Sequence, residues 1–212
     1  MNALTTLILF LILLTDFAVL GTSRISACIR AVALQGVLLG ILPPVMHESL
    51  SVHTVTLAVG TIVIKGAVLP GFLRWAMREA AVRREVEPLI GYMASLLLGL
   101  GTVAIAFAVA DALPVPGSAG DLLIATALVN VMIGLLVLIT RTKAITQVVG
   151  YLILENGIYL FGLTQIQRVQ FLVEIGVLLD LFVAVFIMGI VVFHINREFD
   201  SMSSARLTDL RE

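Results

Sequence analysis

Hydrophobic residues form long, nearly uninterrupted runs along this chain. A helix needs about 20 predominantly apolar residues to cross the hydrocarbon core of a bilayer, and seven such windows can be placed. The windows cover residues 3 to 20, 25 to 46, 51 to 73, 89 to 110, 121 to 140, 144 to 163 and 169 to 195. Pro43 and Pro44 should end or kink the second helix, because proline lacks a backbone N–H. The pattern predicts an all-α membrane protein with seven transmembrane helices.

Basic residues are concentrated on one side of these predicted helices. The connections after the first, third and fifth helices and the C-terminal tail carry Arg24, Arg30, Arg74, Arg78, Arg83, Arg84, Arg141, Lys143, Arg197, Arg206 and Arg211. The opposite side carries only Arg168, and Lys65 lies inside the third helix. Because cytoplasmic loops are enriched in lysine and arginine, we predict that the N-terminus is outside and the C-terminus is cytoplasmic.

Composition restricts the class of protein further. Hydrophobic residues make up 60% of the 212 residues and charged residues only 13%, which is far from the usual soluble domain. The first apolar run contains Asp16 and lacks a basic leader, so we predict a retained helix rather than a cleaved signal. A single cysteine, Cys28, excludes a disulfide scaffold or an iron–sulfur cluster within the chain. The sequence also lacks a phosphate-binding loop, a nucleophile motif, metal-ligand spacing and a nucleic-acid-binding surface.

The ionisable residues within the predicted helices include Asp16, Lys65, Glu155, Glu174 and Asp180. Each costs about 2.5 to 3.5 kcal/mol at the bilayer centre, so such residues usually face protein or water and have a function. From the helix rise, Glu155 and Asp180 lie roughly 15 to 18 Å from the outer edge, on adjacent helices. Glu174 lies only about 9 Å deep, where it is either an access group or a residue that reaches water.

Lys65 also falls near the middle of its helix, in the sequence KGAVLP. Pro70 withholds a hydrogen bond from the carbonyl of Gly66, which weakens the helix beside the lysine. Burial disfavours the charged form of each group, whereas a neighbouring opposite charge favours it. Lys65, Glu155 and Asp180 could therefore exchange protons near neutral pH.

Structural interpretations of these charged residues stay open. Glu155 and Asp180 could pair with a basic residue of another subunit and only specify docking, and Lys65 could form a structural salt bridge. Asp16 lies near the cytoplasmic end of its helix, where it could snorkel or pair with Arg24.

Uncharged small and polar residues within the helices favour packing roles. Asn156 should hydrogen-bond across helices, and the small residues Gly36, Gly40, Gly150 and Gly157 should permit close helix packing.

Several segments together carry a resemblance to a known family. The runs QVVGYLILENGIYLFG and VEIGVLLDLFVAVFIMGIVVFHINREFDS, with IVIKGAVLP and a tail ending LTDLRE, resemble component E of hydrogenase-4, a membrane subunit of formate-hydrogenlyase-type complexes. The resemblance covers essentially the whole chain. The last three helices are similar to subunit K of bacterial complex I and to the C subunit of multisubunit cation/proton antiporters. This similarity implies membrane-embedded carboxylates at Glu155 and at Asp180, with Glu174 as the alternative to Asp180.

The resemblance implies a domain organisation and a set of partners. Residues 1–140 would form a five-helix region, 141–196 a helical pair that completes the subunit K-like unit, and 197–212 a cytoplasmic tail. The chain would be a non-catalytic subunit in a bacterial cytoplasmic membrane, beside antiporter-like subunits and a peripheral hydrogenase arm that carries the nickel–iron centre and iron–sulfur clusters. It would contribute to a mid-membrane proton or cation path. A structural docking subunit and a subunit of a cation/proton antiporter are the alternatives.

Overall fold

The computed structural model describes residues 2–46, 52–79, 89–113, 121–164, 180 and 183–189, and every element within them is helical. The helices are α1 (Ala3–Leu20), α2 (Ile25–Met46), α3 (Val52–Thr61), a π-helical segment (Ile62–Val68), α4 (Leu69–Glu79), α5 (Tyr92–Ala112), α6 (Asp121–Thr140) and α7 (Ala144–Leu163). Asp180 and residues 183–189 are also helical.

Within the part of the chain that the structure describes, six helical stretches are long and apolar enough to cross a membrane. Five are single helices, and the sixth joins α3, the π segment and α4 over Thr54–Glu79. The all-α prediction is therefore confirmed, together with six candidate transmembrane helices. The seventh predicted helix, 169 to 195, lies mostly outside the described residues. The count of seven, the orientation and the domain boundaries stay predictions.

The predicted end of the third helix differs from the structure, whereas the second helix ends at residue 46 as predicted. The third helix was predicted to stop at residue 73, but α4 continues to Glu79. It continues because Leu69, Leu73 and Ala76 are buried on one face of α4, so an amphipathic helix follows the apolar one and places Arg74 and Arg78 on a helix rather than in a loop. Pro43 and Pro44 do not end α2 directly, since both lie inside it and the helix ends at Met46.

The helices pack around α2. This helix contacts α1 on one side, and the third candidate transmembrane stretch and α7 on the others, while α6 packs against α1, α5 and α7. The outer face of α1 is apolar and exposed, with Leu4, Leu7, Phe10 and Leu14 each more than half accessible. Because these residues recur every three or four positions, they form one stripe along the helix, as expected for a surface in contact with lipid.

Candidate functional site

The most concentrated group of charges is formed by Lys65, Glu155 and Asp180, which we call the Lys65 cluster. Lys65 Nζ lies 2.5 Å from Glu155 Oε1 and 3.3 Å from Asp180 Oδ1. The three residues come from the π segment, from α7 and from the described part of the C-terminal helix. All three are buried, with residue exposures of 6%, 2% and 8% respectively. Two carboxylates therefore share one ammonium group inside the helix bundle.

The position of Lys65 depends on an irregular backbone. It lies within the π-helical segment, where the N–H of Leu69 bonds to the carbonyl of Ile64, five residues earlier. Pro70 follows directly and has no N–H for the carbonyl of Gly66, so a regular α-helix would leave that carbonyl without its donor. Single-turn π-helices are frequent at functional sites. The wider turn sets the direction in which Lys65 leaves the helix.

Glycine on α2 lets the π segment approach closely. A Cβ atom added at Gly36 would lie 2.5 Å from the carbonyl carbon of Lys65, and one added at Gly40 would overlap Ile62. Only glycine fits where two helix backbones come this close. The predicted packing glycines of α2 thus lie directly behind Lys65, and Gly150 and Gly157 lie equally close to the backbone of α6.

The Lys65 cluster leaves part of its hydrogen-bonding capacity unused. Glu155 Oε2 is buried and accepts no hydrogen bond from any residue that the structure describes, and Asp180 Oδ1, although ion-paired with Lys65, accepts none either. A buried acceptor without a donor is costly, and protonation or water removes that cost. The arrangement therefore suits a proton that moves between two carboxylates and a lysine.

A second polar group, which we call the Gln35 network, joins four helices. Gln35 Nε2 donates to Asp16 Oδ1 at 2.8 Å and to Asn130 Oδ1 at 3.0 Å. Asn156 Nδ2 donates to Gln35 Oε1 at 2.9 Å. Asp16, Gln35, Asn130 and Asn156 are all at most 2% exposed. Asn156 directly follows Glu155 on α7, so the network ends beside the Lys65 cluster.

Arg141 holds the ends of three helices together. Its Nη2 donates to the carbonyl of Leu20, the last residue of α1, at 2.9 Å. Its guanidinium also lies over the ring of Tyr92 at the start of α5, 4.7 Å from the ring centroid. A cation at a helix C-terminus is favoured by the unpaired carbonyls and the helix dipole. This arginine stabilises the junction of α1, α5 and α6.

The structure brings together three of the four residues predicted for the proton path. Lys65, Glu155 and Asp180 meet, whereas Glu174 lies outside the described residues. Lys65 pairs with both carboxylates, so the docking interpretation, which required a basic residue of another subunit, is not needed to explain their burial. Whether protons move along this path stays a prediction.

Some expectations for the other polar residues change. Asp16 neither snorkels nor pairs with Arg24: it is 0% exposed and accepts a hydrogen bond from Gln35. The cross-helix hydrogen bond predicted for Asn156 is confirmed. Sequence reasoning missed Gln35, Asn130 and Arg141. The signal for the first two was the same as for Asn156, namely a carboxamide within an apolar helix.

Comparison with known proteins shows similarity to an uncharacterized protein. No family model matches the sequence, and no solved structure matches it. The chain is 31% identical to the uncharacterized protein Rv0085 of Mycobacterium tuberculosis over 208 residues, which cover 95% of this chain and 93% of the mycobacterial protein. The chain therefore belongs to the same family as the uncharacterized protein Rv0085.

Proposed function

We propose that this chain is a non-catalytic membrane subunit of a complex-I-like hydrogenase assembly, in which it contributes to a proton path near the middle of the bilayer. The assembly would lie in a bacterial cytoplasmic membrane. Antiporter-like subunits would flank the chain, and the nickel–iron and iron–sulfur centres would belong to a peripheral arm.

The Lys65 cluster is the observation that carries this proposal. One lysine within hydrogen-bonding distance of a glutamate, and 3.3 Å from an aspartate, provides a proton donor next to two acceptors. Ionisable residues inside the membrane commonly mark ion paths and proton relays. The π segment supports the proposal, because single-turn π-helices are frequently found at functional sites.

Two other functions make different predictions. A docking subunit would use its buried charges to bind other subunits, but Lys65 already pairs with Glu155 and Asp180 inside this chain. An antiporter subunit would use the same cluster without redox partners. Tagged chain purified from its native membrane in mild detergent separates the antiporter from the hydrogenase. Nickel and iron in the eluate are expected only for the hydrogenase assembly.

The relay is tested by neutralising one carboxylate at a time in the assembled complex. Glu155→Gln and Asp180→Asn should each lower the number of protons moved per turnover in sealed vesicles, while the complex still assembles. Glu79→Gln and Asp111→Asn are the matched controls, because both side chains are exposed at helix ends. Normal proton movement in assembled Glu155→Gln and Asp180→Asn complexes would refute the relay.

A further inference from the structure

Asp16 is a buried acid that the Lys65 cluster does not use. We propose that Asp16 binds a proton and is a neutral carboxylic acid in the folded bundle, which makes it a second protonatable site. This inference concerns the Gln35 network alone and does not depend on the hydrogenase proposal. Its ligand is a proton rather than a metal cation.

The burial of Asp16 is the first argument. The residue is 0% exposed, and its side chain forms no ion pair with any residue that the structure describes. An isolated ionised carboxylate in such a place is far more costly than a neutral acid, because the charge loses its hydration without gaining a counter-charge. The hydrogen bond from an uncharged amide, Gln35 Nε2, offsets only part of that cost.

Charged and titratable groups on the neighbouring helices do not supply the counter-charge. Helix α1 packs against α2, α5 and α6, whose groups of this kind are Cys28, Arg30, Tyr92, Asp111 and Asp121. Arg30 and Asp111 are exposed. Tyr92 and Asp121 begin their helices. Arg141, directly after α6, bonds to Leu20, one turn beyond Asp16.

The hydrogen bonds also decide which oxygen carries the proton. Asn130 Nδ2 donates to the carbonyl of Thr126 at 3.0 Å, and a carbonyl can only accept. Asn130 must therefore turn its Oδ1 toward Gln35, so Gln35 must present its NH₂ group. That same NH₂ group donates to Asp16 Oδ1.

Asp16 Oδ2, the second oxygen of the carboxyl group, is buried and forms no hydrogen bond with the described residues. With Oδ1 fixed as an acceptor, Oδ2 is the atom that holds the proton.

Gln35 links the two protonatable sites. Both hydrogens of its amide are used by Asp16 and Asn130, and its oxygen accepts from Asn156, next to Glu155 in the sequence. The amides themselves do not conduct protons. They hold Asp16 at a fixed position relative to the helix that carries Glu155.

Infrared spectroscopy of the purified full-length chain, with its aspartates labelled by ¹³C, tests the proposal. The label separates aspartate bands from those of glutamates such as Glu155. The chain has six aspartates, and an Asp180→Asn background removes the other buried one that the structure describes. Asp111, Asp121, Asp200 and Asp209 lie at the ends of the predicted helices or in the tail. At neutral pH we expect a carbonyl band of a protonated aspartic acid in Asp180→Asn protein and its loss when Asp16→Asn is added.

Each outcome of this experiment decides the question. Absence of the band in the Asp180→Asn protein would show that Asp16 is ionised and overturn the proposal. Loss of the band when sodium chloride replaces choline chloride would also overturn it, because Asp16 would then be a sodium ligand. A band that is unaffected by sodium supports it. If the double variant does not fold, absence of the band in the labelled Asp180→Asn protein still overturns the proposal, and Asp16→Glu, which moves the acid band out of the aspartate label, replaces the double variant for the assignment.

Discussion

A single lysine, Lys65, links the π segment to the carboxylates of two other helices. Buried ion pairs contribute little net stability compared with apolar residues, but removal of one partner is strongly destabilising because the other charge is left unpaired. The Lys65 cluster is therefore sensitive to the loss of its cation. The resulting loss of stability can be measured by substituting the residues of the cluster one at a time.

We expect Lys65→Met to lower the free energy of unfolding by about 3 to 5 kcal/mol, because Glu155 and Asp180 lose their counter-charge. Glu155→Gln should cost less, since Lys65 keeps Asp180. The Lys65→Met, Glu155→Gln double variant should be more stable than the sum of the single effects predicts, because the two residues interact directly. Unfolding in mixed micelles measures all three.

Lys143→Met is the control for this cycle, since Lys143 is an exposed cation. It should leave the free energy of unfolding nearly unchanged. Additive effects of Lys65→Met and Glu155→Gln would mean that the two side chains do not interact in the membrane.

Gln35 is the second residue on which a group of buried polar atoms depends. Gln35→Leu should lower the free energy of unfolding by roughly 1 to 3 kcal/mol, because Asp16, Asn130 and Asn156 each lose a hydrogen-bond partner. The same unfolding measurement applies. Leu34→Ala, on the exposed face of the same helix, should cost clearly less, and an equal loss would argue against the network.

The sequence leads to an expected depth for these residues, which stays a prediction, but it could not predict their pairing. Counting helix rise was enough to expect Lys65, Glu155 and Asp180 near the middle of the bilayer. Their direct contact depends on the rotation of each helix about its axis, which hydropathy does not encode. For Asp16, the sequence predicts only a position near the cytoplasmic end of α1. Position along a helix does not indicate the hydrogen bond from Gln35, a neutral residue 19 positions away in the sequence.

At the scale of helices, the contact between α2 and the π segment decides where Lys65 lies. Gly36 faces the backbone of Lys65 and Gly40 faces Ile62. The missing side chains allow the two helices to approach, and this brings the lysine toward α7. Sequence reasoning predicted close packing here from two glycines four residues apart. It did not predict the π-helix, since Pro70 alone is compatible with a kink.

Gly36→Ala and Gly60→Ala compare a crowded glycine with an open one. A Cβ at Gly36 would meet the backbone of Lys65, whereas one at Gly60 would meet nothing within 4 Å. We expect Gly36→Ala to lower the thermal unfolding midpoint and Gly60→Ala to leave it unchanged or raise it, because alanine favours a helix by about 0.5 to 1 kcal/mol over glycine. Equal midpoints for the two variants would contradict the close contact of α2 with the π segment.

At the scale of the whole molecule, the described helices enclose an apolar core that also contains buried polar residues, and further apolar residues cover the outside. Both features are visible on α1, where Asp16 and Leu9 are fully buried and Leu14 is 63% exposed. Hydropathy predicted the helices well because lipid selects for apolar surfaces along a whole helix. Helix ends were predicted less well, since α4 is amphipathic and its charges resemble those of a loop.

Cysteine labelling tests the predicted orientation of the molecule. Leu113→Cys lies at the end of α5 and Lys143→Cys immediately before α7, and both residues are exposed. In a Cys28→Ala background, a membrane-impermeant thiol reagent should label Leu113→Cys from outside the cell and Lys143→Cys only in inverted vesicles. The opposite pattern would place the N-terminus in the cytoplasm.

The Lys65 cluster contains one ammonium group and two carboxylates, and this ratio determines the net charge of the cluster. With all three groups ionised, the cluster has one excess negative charge, and it becomes neutral when one proton binds. A neutral group is much less costly than a charged one in a low-dielectric interior. One bound proton is therefore enough to make the cluster neutral, and in the proposed relay we expect each transfer through it to involve one proton.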